Sequence, residues 1–108
     1  MDSPTREMMV VVCLDIKNQI NCVNTVSVGG VSSSIVHPRE VFMPAILSNS
    51  VAILLTHNHP SGIPNPSKDD INITKKLVDS GNILGIEVLD HIIVGDDTFV
   101  SMKSESYI

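Results

Sequence analysis

The sequence predicts an α/β fold, a mixed sheet with helices packed on its faces. Three observations carry this expectation. Short apolar, β-branched runs recur along the chain, at Glu7 to Leu14, at 51–56 and at Ile86 to Val94. Segments with helical spacing separate them. The resulting order, β-β-α-β-α-β-β, joins an opening hairpin to a strand–helix–strand passage, which calls for a layered mixed sheet.

Each element has its own signal. Residues 1–5 read as a short disordered lead, leaving 6–108 as one domain. Asp15-Ile16-Lys17-Asn18 has turn chemistry between the first strand and the loosely alternating stretch Gln19 to Val28, so the two predict a hairpin. Gly29-Gly30 ends it, and Ser32 to Ser34 extend the loop. Pro38 suits the first turn of a helix, with Val41, Phe42, Ala45 and Ile46 as its apolar face. Val51 to Leu55 have the content of a buried strand. A second helix is expected from just after Ser67 to about Ser80, with Ile71, Thr74, Leu77 and Val78 inward and Gly81 as its stop. Gly95-Asp96-Asp97 turns the chain into a last short strand, Thr98 to Ser101.

The bulk properties bound the function. A chain of 108 residues makes one compact domain. With two Phe, one Tyr and no Trp, its core has to be aliphatic. No apolar run is long enough for a membrane span and none resembles a signal peptide, so a cytoplasmic protein is expected, with Cys13 and Cys22 as reduced thiols. The net charge is −5, and Lys68, Lys75 and Lys76 read as a solvated helix face. Affinity for nucleic acid rests on cations that neutralise phosphates, so nonspecific DNA binding by this chain alone is not expected.

The chemistry concentrates in residues 57–70, His-Asn-His-Pro-Ser-Gly-Ile-Pro-Asn-Pro-Ser-Lys-Asp-Asp. In extended backbone, positions i and i+2 face one side, so His57 and His59 can converge on one point. Pro60, Pro64 and Pro66 force a compact loop, and Asp70 can return beside the histidines. Two imidazoles and a carboxylate leave the fourth position of a tetrahedral zinc site open, as catalytic sites require. Ser67-x-x-Asp70 also resembles a capping box, and capping by itself explains that pair. Asp69 competes with Asp70 as a ligand, and the motif spacing favours Asp70. A hydrolytic zinc site needs a general base. Glu7 and Glu40 are the candidates, and spacing does not choose between them. His57-Asn58-His59 is not the unit of a His-Asn-His nuclease, and the His-x-Glu and Cys-x-x-Cys of a nucleobase deaminase are missing.

His57-x-His59-Pro60, followed by Ser67-x-x-Asp70, resembles the JAMM signature of the MPN+ metalloprotease superfamily. His37-Pro38-Arg39-Glu40-Val41-Phe42, the segment Thr56 to Asp70, and Leu89-Asp90-His91-Ile92-Ile93-Val94-Gly95 are similar to bacterial RadC-like proteins, and the similarity covers nearly the whole chain. The resemblance implies a three-layer α/β/α fold of the cytidine-deaminase-like kind and a Zn2+ site held by His57, His59 and Asp70. It selects Glu7 as the base, because Glu7 to Asp15 matches the superfamily's glutamate-bearing strand, and it makes Ser67 the residue that holds the oxyanion. The implied activity is a zinc metallopeptidase-type hydrolase acting on an amide or isopeptide bond of an unknown protein or peptide substrate. The alternative is a DNA-repair or recombination accessory, or a protein-binding module without turnover. His37 and His91 are assigned no metal role.

Overall fold

The computed structural model describes residues 6–29, 31 and 35–108. The expected lead at 1–5, Gly30 and the serines 32–34 lie outside the described residues. The elements are β1 (Met8–Leu14), β2 (Ile20–Val28), α1 (Pro38–Leu47), β3 (Ala52–Asn58), α2 (Lys68–Leu84), β4 (Glu87–Val94) and β5 (Phe99–Ser101). The expected order of strands and helices is the order found.

One five-stranded sheet runs β2-β1-β3-β4-β5. β1 pairs antiparallel with both β2 and β3, and β4 with β5. Only β3 and β4 are parallel, joined through α2. A parallel pair needs such a crossover, whereas the hairpin needs only its turn. That turn is built by Asp15, whose Oδ1 accepts from the backbone N–H groups of Lys17 and Gln19.

Alternation along the strands decides where the core lies. Met9, Val11 and Cys13 of β1 and Ile53 and Leu55 of β3 are buried together with Val41, Phe42 and Ala45 of α1 and Ile73 and Leu77 of α2. Both helices therefore supply one cluster, on one face of the sheet. Among the described residues the fold has two layers, not the three that were expected. The third layer was expected from the family resemblance, and the described residues do not show one; apolar residues on both sides of β1 and β3 suit a strand covered twice. On the second face Val10, Val12, Leu54 and Ile92 are only half-buried, and Val23, Val94 and Phe99 are exposed.

The helices correct two further expectations. α1 begins at Pro38 and buries Val41, Phe42 and Ala45, but Ile46 is exposed. α2 does not stop at Gly81; it runs on to Leu84, and Gly85, in the left-handed conformation at φ 74°, ends it. Gly81 is buried inside the helix, where a Cβ would collide with the Ile86 carbonyl and press on the Phe42 ring. Its smallness lets α2 lie against α1, which is a packing role and not a stop signal. The inner face of α2 is Asp70, Ile73, Thr74, Leu77 and Gly81, with Ile71 and Val78 half-buried at its margin. No helix among the described residues is long and apolar enough to cross a membrane.

Candidate metal centre

The strand that carries the histidines is longer than its apolar run suggested. β3 extends through Asn58, and the backbone ladder reaches His59, whose N–H donates to the Val94 carbonyl at 2.8 Å. His57 thus has strand geometry on the core side of the sheet, following Ile53 and Leu55, and is buried. His59, two residues on, comes to the same side and is half-buried.

The loop that follows is fastened to the β4–β5 turn. Gly62 N–H donates to the His59 carbonyl at 2.9 Å, and the Gly62 carbonyl accepts from Asp96 N–H at 2.9 Å. Gly95 lies so close beneath this loop that a Cβ there would collide with the Gly62 carbonyl. The returning chain then enters α2 through a capping box: Asp70 N–H donates to Ser67 Oγ at 3.0 Å, and Ser67 N–H donates to Asp70 Oδ2 at 2.8 Å. Asp70 is therefore a capping residue and a site residue at once. Its two expected explanations coexist, since one carboxylate offers several lone pairs.

His57, His59 and Asp70 present ligand atoms that lie within 4.8 Å of one another. His57 Nε2 is 3.3 Å from Asp70 Oδ1, and His59 Nε2 is 3.0 Å from Asp70 Oδ2. His59 Nδ1 lies 2.9 Å from the Ile63 carbonyl, which can only accept, so in the neutral ring the proton is on Nδ1 and Nε2 is bare. His57 Nε2 is buried without a hydrogen-bond partner. Two imidazole nitrogens and a carboxylate at these distances call for a proton or a metal cation among them. An unpartnered buried nitrogen beside a buried carboxylate is what a divalent metal would satisfy, and the two-imidazole, one-carboxylate donor set suits zinc. Burial by itself would raise the Asp70 pKa, but the interactions with His57 and with the Ser67 N–H outweigh it and hold the carboxyl well below the usual carboxylate range.

The remaining expected residues fall as follows. Asp69 and Glu40 are exposed, and Glu40 sits in the first turn of α1. Ser67 is exposed at the N-cap; its oxygen accepts from Asp70 N–H, which leaves its own O–H free to donate. Glu7 is half-buried, one residue before β1. Met9 is the partner of His57 across the β1–β3 ladder. Glu7, two residues before Met9, therefore stands on the same side of the sheet and level with His59. Its backbone is held from both edges. The Glu7 carbonyl accepts from Gly29 N–H at 2.7 Å. Asn58 clamps the residues on either side, accepting from Met8 N–H and donating to the Arg6 carbonyl, each at 2.8 Å.

Asn58 and Thr74 were not legible as contributors, and His91 only as a histidine whose family likeness allowed a place behind the ligands. Asn58, between the histidines, points to the opposite side and fixes the chain around Glu7. His91 and Thr74 are fully buried behind His57, with His91 Nε2 at 2.6 Å from His57 Nδ1 and His91 Nδ1 at 2.6 Å from Thr74 Oγ1. Burial, and after it the neighbouring His57, push the His91 pKa down to about 3. The only advance signals were that Thr74 follows Asp70 by one helical turn and that His91 follows an aspartate on a late strand. Asp90 accepts from the backbone N–H groups of His91 and Lys103 and from the Ser101 hydroxyl, so it holds the strand end and not the metal ligands.

The fold and this cluster define a small α/β domain with a candidate site for a divalent metal, the pattern of a JAB domain. A family model described as RadC-like JAB domain matches residues 1–107, and the chain belongs to that family. It is 50% identical over 103 residues to a UPF0758 protein of Methanosarcina barkeri, covering 95% of this chain and 45% of that one. Similar matches are UPF0758 proteins of Caldanaerobacter subterraneus, 52% identical over 95% of this chain and 44% of the relative, and of Alkaliphilus oremlandii, 54% identical over 95% and 44%. The chain spans less than half the length of these relatives.

Proposed function

We propose that this domain is a zinc-dependent hydrolase of the metallopeptidase type, cleaving an amide or isopeptide bond in a protein or peptide. The observation that carries this reading is the convergence of two imidazole nitrogens and one carboxylate, from His57, His59 and Asp70, within 4.8 Å of one another; the β1–β3 register supports Glu7 as the nearby second carboxylate. His57, His59 and Asp70 would hold the metal. When bound, zinc supplies a Lewis acid that polarises a carbonyl and acidifies water. Glu7 accepts the proton of the attacking water at its carboxylate and later returns it to the departing amine nitrogen. The Ser67 O–H donates to the carbonyl oxygen as negative charge builds there. Asn58 keeps Glu7 in place by gripping the backbone on both sides of it.

A non-catalytic, protein-binding role is the second reading, favoured by Val23, Val94 and Phe99, which are exposed on the sheet face that no described helix covers. A DNA-binding role is opposed by the charge of −5. Metal content by mass spectrometry separates the first two. About one zinc per chain, lost in His59→Ala and in Asp70→Asn, is expected, and peptide and isopeptide substrates would then be screened with Glu7→Gln as the inactive control. A parent chain that takes up no metal even after zinc is supplied and the excess removed overturns the hydrolase reading.

A further inference from the structure

Behind the proposed ligands runs a chain of three short hydrogen bonds whose direction is fixed at one end. Thr74 Oγ1 lies 2.6 Å from the Asp70 backbone carbonyl and 2.6 Å from His91 Nδ1. A hydroxyl has one proton, and a carbonyl can only accept, so the threonine proton goes to Asp70 O. The approach of His91 Nδ1 to the same oxygen is then a donation from the ring. His91 is fully buried, and its two ring nitrogens meet only a hydroxyl and another imidazole. A charged ring in that setting would lack a carboxylate on either nitrogen, so the ring is neutral and Nε2 is its lone-pair atom. His57 Nδ1, 2.6 Å away, is therefore protonated and donates to it. In the neutral His57 ring the lone pair is therefore on Nε2, the atom that faces Asp70 Oδ1.

We propose that Thr74 and His91 are positioning residues that set the tautomer of His57, so that its Nε2 is presented bare to a metal. The inference rests on the metal reading above and adds the two residues that prepare it. The chain runs from the Nδ1–H of one ligand to the backbone carbonyl of another, through His91 and Thr74. It holds the imidazole plane as well as its protonation pattern. Such outer partners raise the basicity of a ligating histidine, and their loss typically costs about 10–100-fold in metal affinity.

The test uses the whole chain labelled with 15N at histidine and stripped of metal by chelation. Long-range proton–nitrogen NMR distinguishes the two imidazole tautomers. At a pH where both rings are neutral, we expect His57 and His91 in the Nδ1–H form. Thr74→Val keeps the shape but removes the acceptor of His91 Nδ1–H. It should shift both rings away from that form and weaken zinc binding about 10–100-fold, read by competition with a chromophoric chelator. Thr74→Ser should restore both readouts to within a few-fold of the parent. A parent chain with His57 in the Nε2–H form overturns the proposal, whether or not Thr74→Val folds. So does a folded Thr74→Val that binds zinc as tightly as the parent. A parent with the expected tautomers that binds no zinc supports the tautomer assignment and instead overturns the metal reading, so the two failures are distinguishable.

Discussion

Lowering the pH should destabilise the metal-free domain through one buried ring. The His91 pKa is pushed from 6.5 in the unfolded chain to about 3 in the fold, by burial and then by His57. Below pH 6.5 the unfolded chain takes up a proton at this position that the folded chain refuses, so stability falls as pH falls, down to about pH 3. The slope is about 1.4 kcal/mol per pH unit within that window. Between pH 7 and pH 5 the loss at this ring is about 2 kcal/mol, which for a domain of this size is a drop in Tm of about 8–16 °C. Asp70 does not confound the range. Its depressed carboxyl stabilises the fold above the ordinary carboxylate pKa, and that contribution fades only below about pH 4. Urea unfolding in the presence of a chelator, at pH 7 and pH 5, should therefore show the parent losing about 2 kcal/mol more than His91→Gln does. Equal losses in the two proteins, or a His91 ring that titrates near 6.5 by NMR, would refute the reasoning.

Asn58→Ala removes both grips on the chain around Glu7; we expect zinc affinity unchanged and hydrolysis strongly reduced, with about 1–3 kcal/mol lost in denaturant unfolding. Gly95→Ala places a methyl group against the Gly62 carbonyl and should cost about 1–3 kcal/mol while weakening zinc binding, because the displaced loop carries the Ile63 carbonyl that orients His59. Phe42→Ala opens the junction of α1, α2 and the sheet; a loss of about 3–5 kcal/mol is expected by calorimetry, with zinc affinity of the folded fraction preserved.

The order of elements was legible because each carries a local signal: Pro38 starts a helix, Asp15 makes a turn, and apolar runs of strand length read as strands. The candidate trio was legible for the same reason, since His57, His59 and Asp70 fall within one short segment whose prolines dictate a loop. What escaped depends on pairing between distant segments. Nothing near Gly81 announces that Ile86 and Phe42 crowd it, so a glycine inside a helix reads as its end. The side of the sheet that α1 and α2 share is a tertiary choice, and apolar residues on both sides of β1 leave it undetermined. His91 could be linked to His57 only through the β3–β4 register, in which Leu55 stands beside His91. The clamp of Asn58 on Arg6 and Met8 depends on the β1–β3 register in the same way.

The parallel pairing of β3 with β4 also sets a sequence of events in time. A ribosome releases His57, His59 and Asp70 well before the strand that bears His91, and long-range strand pairing is the slow part of folding. The three candidate ligands are thus complete in the nascent chain while His91 has yet to arrive. Any metal captured at that stage would meet His57 before its Nδ1 has a partner, and the His57–His91–Thr74 chain is complete only when β4 joins the sheet.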